Sequence, residues 1–376
     1  MAAPNPNLEF LLQIIESKRE LGDRFTQIKR MGVSGGGGAF SIVFSAFDKT
    51  SNARVALKFF DPNVSDPYRF DSFKREADLL ATLRGQADIL QLIAPTTEFT
   101  EKLQHGNGFS FDLPFRYYAA ELARCDLGTL LIEYEVEASD KIEMFRAMCR
   151  AVQRLHKLQI AHRDLKPSNF LVMKDGTLRL SDFGTARCLQ DSPPLIARYS
   201  NPPGDLTYAP LEMIAALHDS QPTISYAGDI YALGAIIFEM FTNTPLNLQL
   251  FDPSMLTDLN TMMNGFSTTE RAREFHKHIG SISNRYRLPD IRDFSTEIPL
   301  AVAPLLNRMY RELAAIDYRR RSRSFSATFL QIDQALVVLR NQAAFARWND
   351  RKRTFRDATE LKRLRIESVH REGVKQ

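Results

Sequence analysis

Hydrophobic positions in the first third of the chain follow mainly the period of strands. Residues 8–20 and 70–84 differ, because their apolar side chains recur at helical spacing and predict an amphipathic helix in each. The segments that predict strands are residues 25–31, 42–47, 54–60, 89–95 and 115–122. A turn sequence at residues 105–108 separates the last two. The pattern therefore predicts a small sheet with one helix inserted in its sequence.

The remainder of the chain, from about residue 126, is mainly helical in pattern. The clearest helical segments are residues 141–158, 225–242, 301–315 and 326–339. A hairpin is predicted at residues 170–182, with Asp175 and Gly176 as its turn residues. Prolines predict a loop over residues 187–206, and a second loop is predicted around residues 247–251.

Strands in the first third followed by helices predict an α+β fold of two lobes, joined near residues 121–126. The chain has 376 residues, of which 44% are hydrophobic and 25% are charged, so it can bury a sizeable core. Three cysteines without zinc-binding spacing predict neither a disulfide framework nor a metal cage, and favour a reducing compartment. The longest apolar stretches are shorter than the roughly 18 residues of a membrane span, so none is predicted.

Positive charge is concentrated at the C-terminus. Residues 347–376 hold ten Lys and Arg against five Asp and Glu, whereas the first 346 residues hold 39 against 40. The main body therefore has no basic excess that would favour nucleic acid, and no specific nucleic-acid partner is expected.

Two features of the first lobe are candidates for phosphate binding. Four glycines at residues 35–38 lie between predicted strands; such a run is most often a flexible turn, but it also lets backbone N–H groups approach phosphates. Lys58 lies in an apolar strand, where a lysine is usually at the surface. If its side chain instead points between the lobes, it needs a carboxylate partner, and Glu76 on the predicted helix is available.

A third cluster is more specific. Residues 162–169 read HRDLKPSN, and residues 182–184 read DFG after the predicted hairpin. Together with VALK at residues 55–58, this ordered set resembles the eukaryotic-type protein kinases. The resemblance covers about residues 25–340 and implies a bilobal kinase fold, with a small antiparallel sheet plus helix C and then a mainly helical lobe.

The resemblance implies that ATP and Mg²⁺ are the cofactors, with Mn²⁺ as a substitute. Lys58 matches the lysine on the α and β phosphates, and Glu76 matches its ion-pair partner. Asn169 and Asp182 match the residues that hold the metal ions, and their oxygen atoms suit a hard cation.

Two further residues of the catalytic loop match the family's reacting groups. Asp164 matches the catalytic base that accepts the proton of a substrate hydroxyl. Lys166 resembles the lysine typical of serine/threonine kinases, where its charge stabilises the transferred phosphoryl group.

The nucleotide site is implied by the same alignment. Gly36, Gly38 and Val43 match the first glycine, second glycine and valine of the glycine-rich loop, with Ser41 in place of the third glycine. The other residues assigned to ATP are Ala56, Lys58, Glu121, Ala123, Asp126 and Leu171. Val43 and Ala56 form the roof of the adenine slot and Leu171 its floor, while residues 121–123 form the hinge.

Two positions around the hinge carry additional expectations. The alignment makes Ala120 the gatekeeper residue, which predicts an open apolar space behind the adenine. Asp126 either accepts hydrogen bonds from the ribose or caps the next helix.

Four matches are structural or regulatory. Asp229 resembles the buried aspartate that supports the catalytic loop, and Arg163 resembles the arginine that pairs with a phosphate or carboxylate of the activation segment. Glu212 closes that segment, and Arg321 matches its ion-pair partner, although Arg319 and Arg320 are neighbouring alternatives.

One position departs from the family pattern. Alignment on Glu212 places Asp205 where the family has a threonine that contacts the catalytic aspartate. A second carboxylate would repel Asp164 unless Lys166 or a metal intervenes, so either the segment takes a different path or Thr207 fills the role.

The resemblance implies an ATP-dependent serine/threonine protein kinase that autophosphorylates; the alternative is a nucleotide-binding pseudokinase scaffold. The domains expected are an N-terminal helical extension (1–24), a kinase domain (25–340) and a basic tail (341–376). Within the kinase domain, the N-lobe covers residues 25–121, the hinge 121–126 and the C-lobe 127–340. Partners expected are ATP, a protein substrate and, through either terminal segment, a second subunit or another protein. A cytoplasmic location is expected.

Overall fold

A computed structural model gives the three-dimensional structure of the chain. It describes residues 6–31, 41–61, 67–104, 110–189, 204–217, 223–295, 298–341, 347–348, 351–353 and 356. The strands are β1 Glu20–Leu21, β2 Phe25–Arg30, β3 Ser41–Asp48, β4 Ala53–Phe60, β5 Leu92–Gln104, β6 Ser110–Glu121, β7 Cys125–Asp126, β8 Ile160–Ala161, β9 Phe170–Val172, β10 Leu178–Leu180 and β11 Arg187–Cys188. The helices are α1 Pro6–Ser17, α2 Pro67–Thr82, α3 Leu127–Glu133, α4 Ala138–Lys157, α5 Leu211–Ile214, α6 Ile224–Thr242, α7 Leu246–Leu250, α8 Pro253–Asn264, α9 Thr268–Arg285, α10 Ala303–Leu313 and α11 Phe325–Arg340.

The N-terminal lobe is an antiparallel sheet of six strands in the order β1-β2-β3-β4-β6-β5. The five predicted strands are therefore confirmed, although the fourth begins at Leu92 and extends to Gln104. Helix α2 packs on this sheet through buried Phe73, whose ring lies 5.3 Å from that of Tyr118 on β6. Apolar packing against the sheet thus fixes the helix that carries Glu76.

The N-terminal extension is joined to this lobe. Leu12 and Ile15 of α1 are buried in the same hydrophobic cluster as Phe25 of β2. The sequence pattern predicted the helix but missed β1, which adds two residues to the edge of the sheet beside β2. A strand of two residues has no recognisable period and forms only because its neighbour is present.

The C-terminal lobe is built around α6. This helix has the length and hydropathy of a membrane span, but 89% of its most apolar 18-residue window is buried inside the lobe, as in the core of a globular protein. Helices α4 and α10 pack against it. The predicted hairpin is confirmed: β9 and β10 pair antiparallel, with Leu171 opposite Arg179.

The loop predicted around residues 247–251 is wrong, because residues 246–250 form α7. Leu246 and Leu250, one turn apart, are buried, while Asn247 between them is also buried. A five-residue helix is not stable from propensity alone, and tertiary packing maintains it. In the loop predicted over residues 187–206, residues 187–188 form β11, which pairs with β8. Residues 190–203 lie outside the described part of the chain.

Candidate active site

A buried ion pair lies on the N-terminal side of the cleft between the lobes. Lys58 on β4 places its Nζ 2.9 and 2.7 Å from the two carboxylate oxygens of Glu76 on α2. Asp182, after β10, places its Oδ1 3.5 Å from the same Nζ. Lys58 therefore points into the cleft between two carboxylates that come from different lobes.

Burial and charge act against each other in this group. Burial lowers the pKa of Lys58, but the Asp182 and Glu76 carboxylates outweigh it and hold that pKa well above its usual value. The pKa of Asp182 is lowered chiefly by the Lys58 ammonium. Burial raises the pKa of Glu76, which is the most deeply enclosed of the three. Lys58 is therefore a fixed cation, and Asp182 is an anion at neutral pH.

The catalytic-loop residues lie on the opposite wall, between β8 and β9. Lys166 Nζ is 3.2 Å from Asp164 Oδ2. The side-chain amide of Asn169 donates to the backbone carbonyl of Asp164 at 2.6 Å, so its oxygen is the atom left to bind a cation. Burial raises the pKa of Asp164, and the Lys166 charge opposes this rise in part. The raised pKa is in the direction that suits a general base.

Asp229 holds this loop from below. Its carboxylate accepts hydrogen bonds from the backbone N–H groups of His162 at 2.9 Å and Arg163 at 2.8 Å, and contacts His156 Nε2 at 2.9 Å. Arg163 has a φ of 67°, in the left-handed region. Asp229 thus stabilises a strained backbone immediately before Asp164. The Arg163 guanidinium Nε donates to the carbonyl of Thr185 at 2.7 Å.

Asp205 approaches Asp164 in a way that the sequence did not indicate. Its backbone N–H, rather than its side chain, contacts the catalytic carboxylate, with a distance of 2.9 Å to Asp164 Oδ1. Its own carboxylate lies 4.0 Å from Lys166 Nζ, so Lys166 stands between two acids. Lys166 is thus placed to offset the repulsion between the two carboxylates. Thr207 contributes its backbone N–H to Asp205 Oδ1 at 2.9 Å.

A cavity of about 510 Å³ occupies the cleft. Its lining brings together the sequence-predicted residues Val43, Ala56, Lys58, Glu76, Ala120, Glu121, Ala123, Asp126, Asn169, Leu171 and Asp182. Gly36 and Gly38 lie outside the described residues. Asp126 is the N-cap of α3, because its carboxylate accepts from the N–H and hydroxyl of Thr129 at 2.9 and 2.8 Å. The capping alternative for Asp126 is thus the one observed.

Ala120 lines this cavity and is the cross-strand neighbour of Ala56 on β4. Tyr118 and Leu90 also line the cavity. The two alanines, side by side on adjacent strands, present little side-chain volume to it. Among the described residues, no group of three or more His, Cys, Asp or Glu side chains forms a metal cage.

Glu212 and Arg321 form a second buried ion pair, away from the cleft. Arg321 Nη2 lies 3.0 Å from Glu212 Oε2, and its Nη1 donates to Glu212 and to the carbonyl of Ala227. Arg319 instead pairs with Asp317 at 2.7 Å. Of the three adjacent arginines, Arg321 is therefore the one beside Glu212.

A contact that sequence reasoning missed connects α2 to the DFG residues. The Ser72 hydroxyl donates to the carbonyl of Gly184 at 2.6 Å, and Arg75 Nη1 donates to the same oxygen at 3.0 Å. A Cβ on Gly184 would lie 2.5 Å from Ser72 Oγ. The helix bearing Glu76 is thereby joined directly to the loop bearing Asp182. Because Ser72 and Gly184 are 112 residues apart, no local pattern could show this contact.

The chain belongs to the protein kinase domain family, whose pattern matches residues 30–321. Both the resemblance and the bilobal α+β fold predicted from the sequence are confirmed. The structure and the comparison together define a protein kinase catalytic domain.

Three relatives illustrate the range of similarity. The chain is 33% identical to the dual specificity protein kinase Ttk of Danio rerio over 215 residues, which are 56% of this chain and 20% of that protein. It is 28% identical over 321 residues to the mitogen-activated protein kinase HOG1 of Cochliobolus heterostrophus, covering 84% of this chain and 81% of that protein. It is 28% identical to human cyclin-dependent kinase 9 over 215 residues, 56% of this chain and 55% of that protein.

Proposed function

We propose that the chain is an ATP-dependent serine/threonine protein kinase, which transfers the γ-phosphoryl group of ATP to protein hydroxyls and autophosphorylates. The observation that carries this proposal is that two charged groups adjoin: Asn169, which lines the cavity together with Lys58 and Asp182, donates to Asp164. Lys58, Glu76 and Asp182 lie on one side, and Asp164, Lys166 and Asn169 lie on the other. A pseudokinase scaffold would need none of these six side chains to be arranged for chemistry.

The nucleotide is bound by the first group and by the apolar walls of the cleft. The Lys58 ammonium, held by Glu76, contacts the α and β phosphates. Val43, Ala56 and Leu171 line the same cavity and would enclose the adenine, and backbone groups of the segment from Glu121 to Ala123 would bind its edge. Gly36 and Gly38, which lie outside the described residues, are assigned to the phosphates by the resemblance alone, and Asp126, which lines the cavity, is the candidate contact for the ribose.

Asn169 and Asp182 fit a divalent cation. Asp182 is ionised because of Lys58, and the Asn169 amide oxygen remains available because its nitrogen donates to Asp164. Hard oxygen ligands of this kind would suit Mg²⁺, or Mn²⁺ in its place. When bound, the metal ions neutralise charge on the β and γ phosphates.

The chemistry is assigned to the second group. The Asp164 carboxylate orients the substrate hydroxyl and accepts its proton as the oxygen attacks the γ-phosphorus and the bond to the β-γ bridging oxygen breaks. The products are a phosphorylated side chain and ADP. Lys166 stabilises the charge on the phosphoryl group in transit, and its presence supports serine and threonine as acceptors.

Other parts of the chain have supporting roles. Asp229, Glu212 and Arg321 maintain the catalytic loop and the end of the activation segment, and Arg163 is the candidate contact for a regulatory phosphate. We place the kinase domain at residues 25–340, with accessory segments before and after it, and the protein in the cytoplasm. The terminal segments are the candidate contacts for a second subunit or another protein.

Incubation of the purified chain with labelled ATP and Mg²⁺, with a general protein substrate, tests the proposal. Phosphoamino-acid analysis should show phosphoserine and phosphothreonine on the substrate and on the kinase itself. Asp258→Ala, an exposed change on α8, is the control and should keep the wild-type rate. Transfer to tyrosine alone would overturn the serine/threonine assignment, and no transfer would overturn the catalytic one.

A further inference from the structure

A buried side-chain amide lies at the start of α7, below the segment that carries Asp205. Asn247 is 1% exposed. Its Oδ1 accepts a hydrogen bond from the Tyr231 hydroxyl at 2.5 Å, and its Nδ2 donates to the carbonyls of Leu206 and Ala209, both at 2.8 Å. Two carbonyl partners need two N–H donors, so this network fixes the orientation of the amide. A buried polar group with every partner present is expensive to replace.

The two carbonyls that Asn247 binds belong to one tight turn. The backbone N–H groups of Tyr208 and Ala209 both donate to the Asp205 carbonyl, at 3.0 and 2.9 Å. Thr207 N–H donates to the Asp205 side chain at 2.9 Å. These bonds make residues 205–209 a unit, which we call the 205–209 turn. When Asn247 fixes two of its carbonyls, the position of Asp205 is also fixed.

The opposite side of this turn touches the catalytic loop. Asp205 N–H donates to Asp164 Oδ1 at 2.9 Å. Gly204, with a φ of +93°, lies so close to the loop that a Cβ there would be 2.5 Å from the Arg163 carbonyl. The 205–209 turn is therefore held between α7 on one side and the catalytic loop on the other.

We propose that Asn247 is a positioning residue for phosphotransfer, which acts through the 205–209 turn to hold the Asp205 N–H on the carboxylate of Asp164. This inference rests on the proposed role of Asp164 as the base. Asn247 itself touches no substrate or nucleotide, and its effect passes through the backbone that it binds. The Tyr231 hydroxyl supports it by orienting the amide.

Loss of this support has a specific consequence for the base. The Asp205 N–H lies 2.9 Å from Asp164 Oδ1 and so fixes the direction of that carboxylate. If the turn moves away, the carboxylate loses this constraint and is no longer held in line with the substrate hydroxyl.

Asn247→Leu keeps the branched shape of the side chain and removes its donors and its acceptor. We expect kcat for protein phosphorylation to fall about ten- to a hundredfold, as for a small displacement of a catalytic group. The Kd for ATP should remain within about twofold, because the nucleotide side does not contact α7. Tyr231→Phe, which keeps the amide but removes its orienting hydroxyl, should lower kcat to a smaller extent.

Asn307→Leu is the matched control. Asn307 is also a buried asparagine of the C-terminal lobe, and it binds Asp290 at 2.8 Å and the Ile291 N–H at 2.9 Å, away from the 205–209 turn. It should lower Tm to a similar degree while kcat stays within about twofold of wild type. Equal kcat values for Asn247→Leu and Asn307→Leu would overturn the proposal. If Asn247→Leu does not fold, an unchanged kcat in Tyr231→Phe overturns it.

Hydrogen exchange separates this inference from the proposed function. Exchange of the Asp205 amide proton should be at least about tenfold faster in Asn247→Leu than in wild type, and unchanged in Asn307→Leu. This readout needs no activity, so an inactive wild type would contradict the proposed function alone. Equal exchange at Asp205 in all three proteins would contradict the positioning role alone.

Discussion

Two lysines of the site each stand between two carboxylates. Lys58 lies 2.7 Å from Glu76 and 3.5 Å from Asp182, whereas Lys166 lies 3.2 Å from Asp164 and 4.0 Å from Asp205. Glu76 is almost fully buried, but the side chains of Asp182 and Asp205 are 35% and 39% exposed. The Lys58–Glu76 pair is therefore closed to solvent, and the Lys166–Asp205 pair is open to it.

This difference has an energetic consequence. Removing the partner of a buried charge costs about 3–5 kcal/mol of stability, because solvent cannot replace the partner. An exposed pair is worth roughly 0–1 kcal/mol, because water and salt screen it. The Lys58–Glu76 pair should therefore tolerate no change of charge. Around Lys166, the backbone contact of Asp205 with Asp164 should matter more than the Asp205 carboxylate.

The largest effect is expected from removing a reacting or phosphate-binding group. Asp164→Ala and Lys58→Met should each lower kcat/KM by about 10²- to 10⁴-fold, because a general base and a phosphate-binding charge are lost. Initial-rate kinetics with labelled ATP measures both, with Asp258→Ala as the control. Wild-type rates in either variant would remove the assigned roles.

Gly184→Ala should break the connection between α2 and the loop of Asp182. The new methyl group would lie 2.5 Å from Ser72 Oγ, and we expect kcat/KM to fall about ten- to a hundredfold as the two elements separate. Adding Ser72→Ala to the Gly184→Ala variant should raise kcat/KM several-fold again.

Gly280→Ala is a suitable control for this pair, because nothing lies within 4 Å of the added Cβ on α9. A double variant no better than Gly184→Ala would show that the contact with Ser72 is not the cause.

The space behind the adenine site can be tested with ligands. Pyrazolopyrimidine inhibitors with a bulky C3 substituent should bind the wild type, because Ala120 and Ala56 leave the cavity open. Ala120→Phe should fill it and weaken these inhibitors by about tenfold or more, with little change in the KM for ATP. Equal inhibition of the two proteins would mean that the hinge does not begin at Glu121.

Neutralising one acid beside each lysine tests whether the buried acid matters more than the exposed one. Glu76→Gln should lower kcat/KM by about tenfold or more, because it leaves Lys58 with one partner in a buried site. Asp205→Asn keeps the backbone N–H on Asp164 and should change kcat/KM by about threefold or less. Losses of similar size in the two variants would contradict the distinction between the closed pair and the open pair.

The smallest effect concerns stability and its dependence on pH. The pKa of Asp164 is raised above 3.8 by burial, so keeping it ionised in the folded protein costs free energy. Asp164→Asn should therefore raise Tm at pH 7 by about 1–2 °C. The folded protein gains stability from protonated Asp164 below the unfolded pKa of this group, and it loses that stability as the pH rises through the folded pKa. The difference in Tm between Asp164→Asn and wild type should therefore close on acidification. A gap that widens on acidification would contradict this sign.

Short motifs in the sequence predict the charged residues of the site. Lys58, Asp164, Asn169 and Asp182 lie in short motifs whose residue types and order are set by the chemistry, so the cleft could be assigned before its geometry was known. The five strands also followed from their apolar period. Val43, Ala56 and Leu171 were placed by alignment and do line one cavity.

The remaining features depend on contacts between distant parts of the chain. Asn247 binds carbonyls 41 and 38 residues away. Its helix is too short to show a hydrophobic period, so the sequence pattern predicts a loop there. The sequence suggests a role for the Asp205 side chain, whereas the contact with Asp164 is made by the Asp205 backbone N–H. A main-chain hydrogen bond carries no residue-type signature, and only the fold could show it.

Binding and transfer measured on the same samples test the central claim most directly. ATP binding in the presence of Mg²⁺ would be followed by calorimetry, and phosphotransfer to serine and threonine would be followed with labelled ATP, in wild type and Asp164→Ala. We predict that both proteins bind the nucleotide with similar affinity and that only the wild type transfers phosphate. A wild type that binds ATP and transfers nothing would show that the cleft holds nucleotide without catalysing the reaction, and would contradict the account.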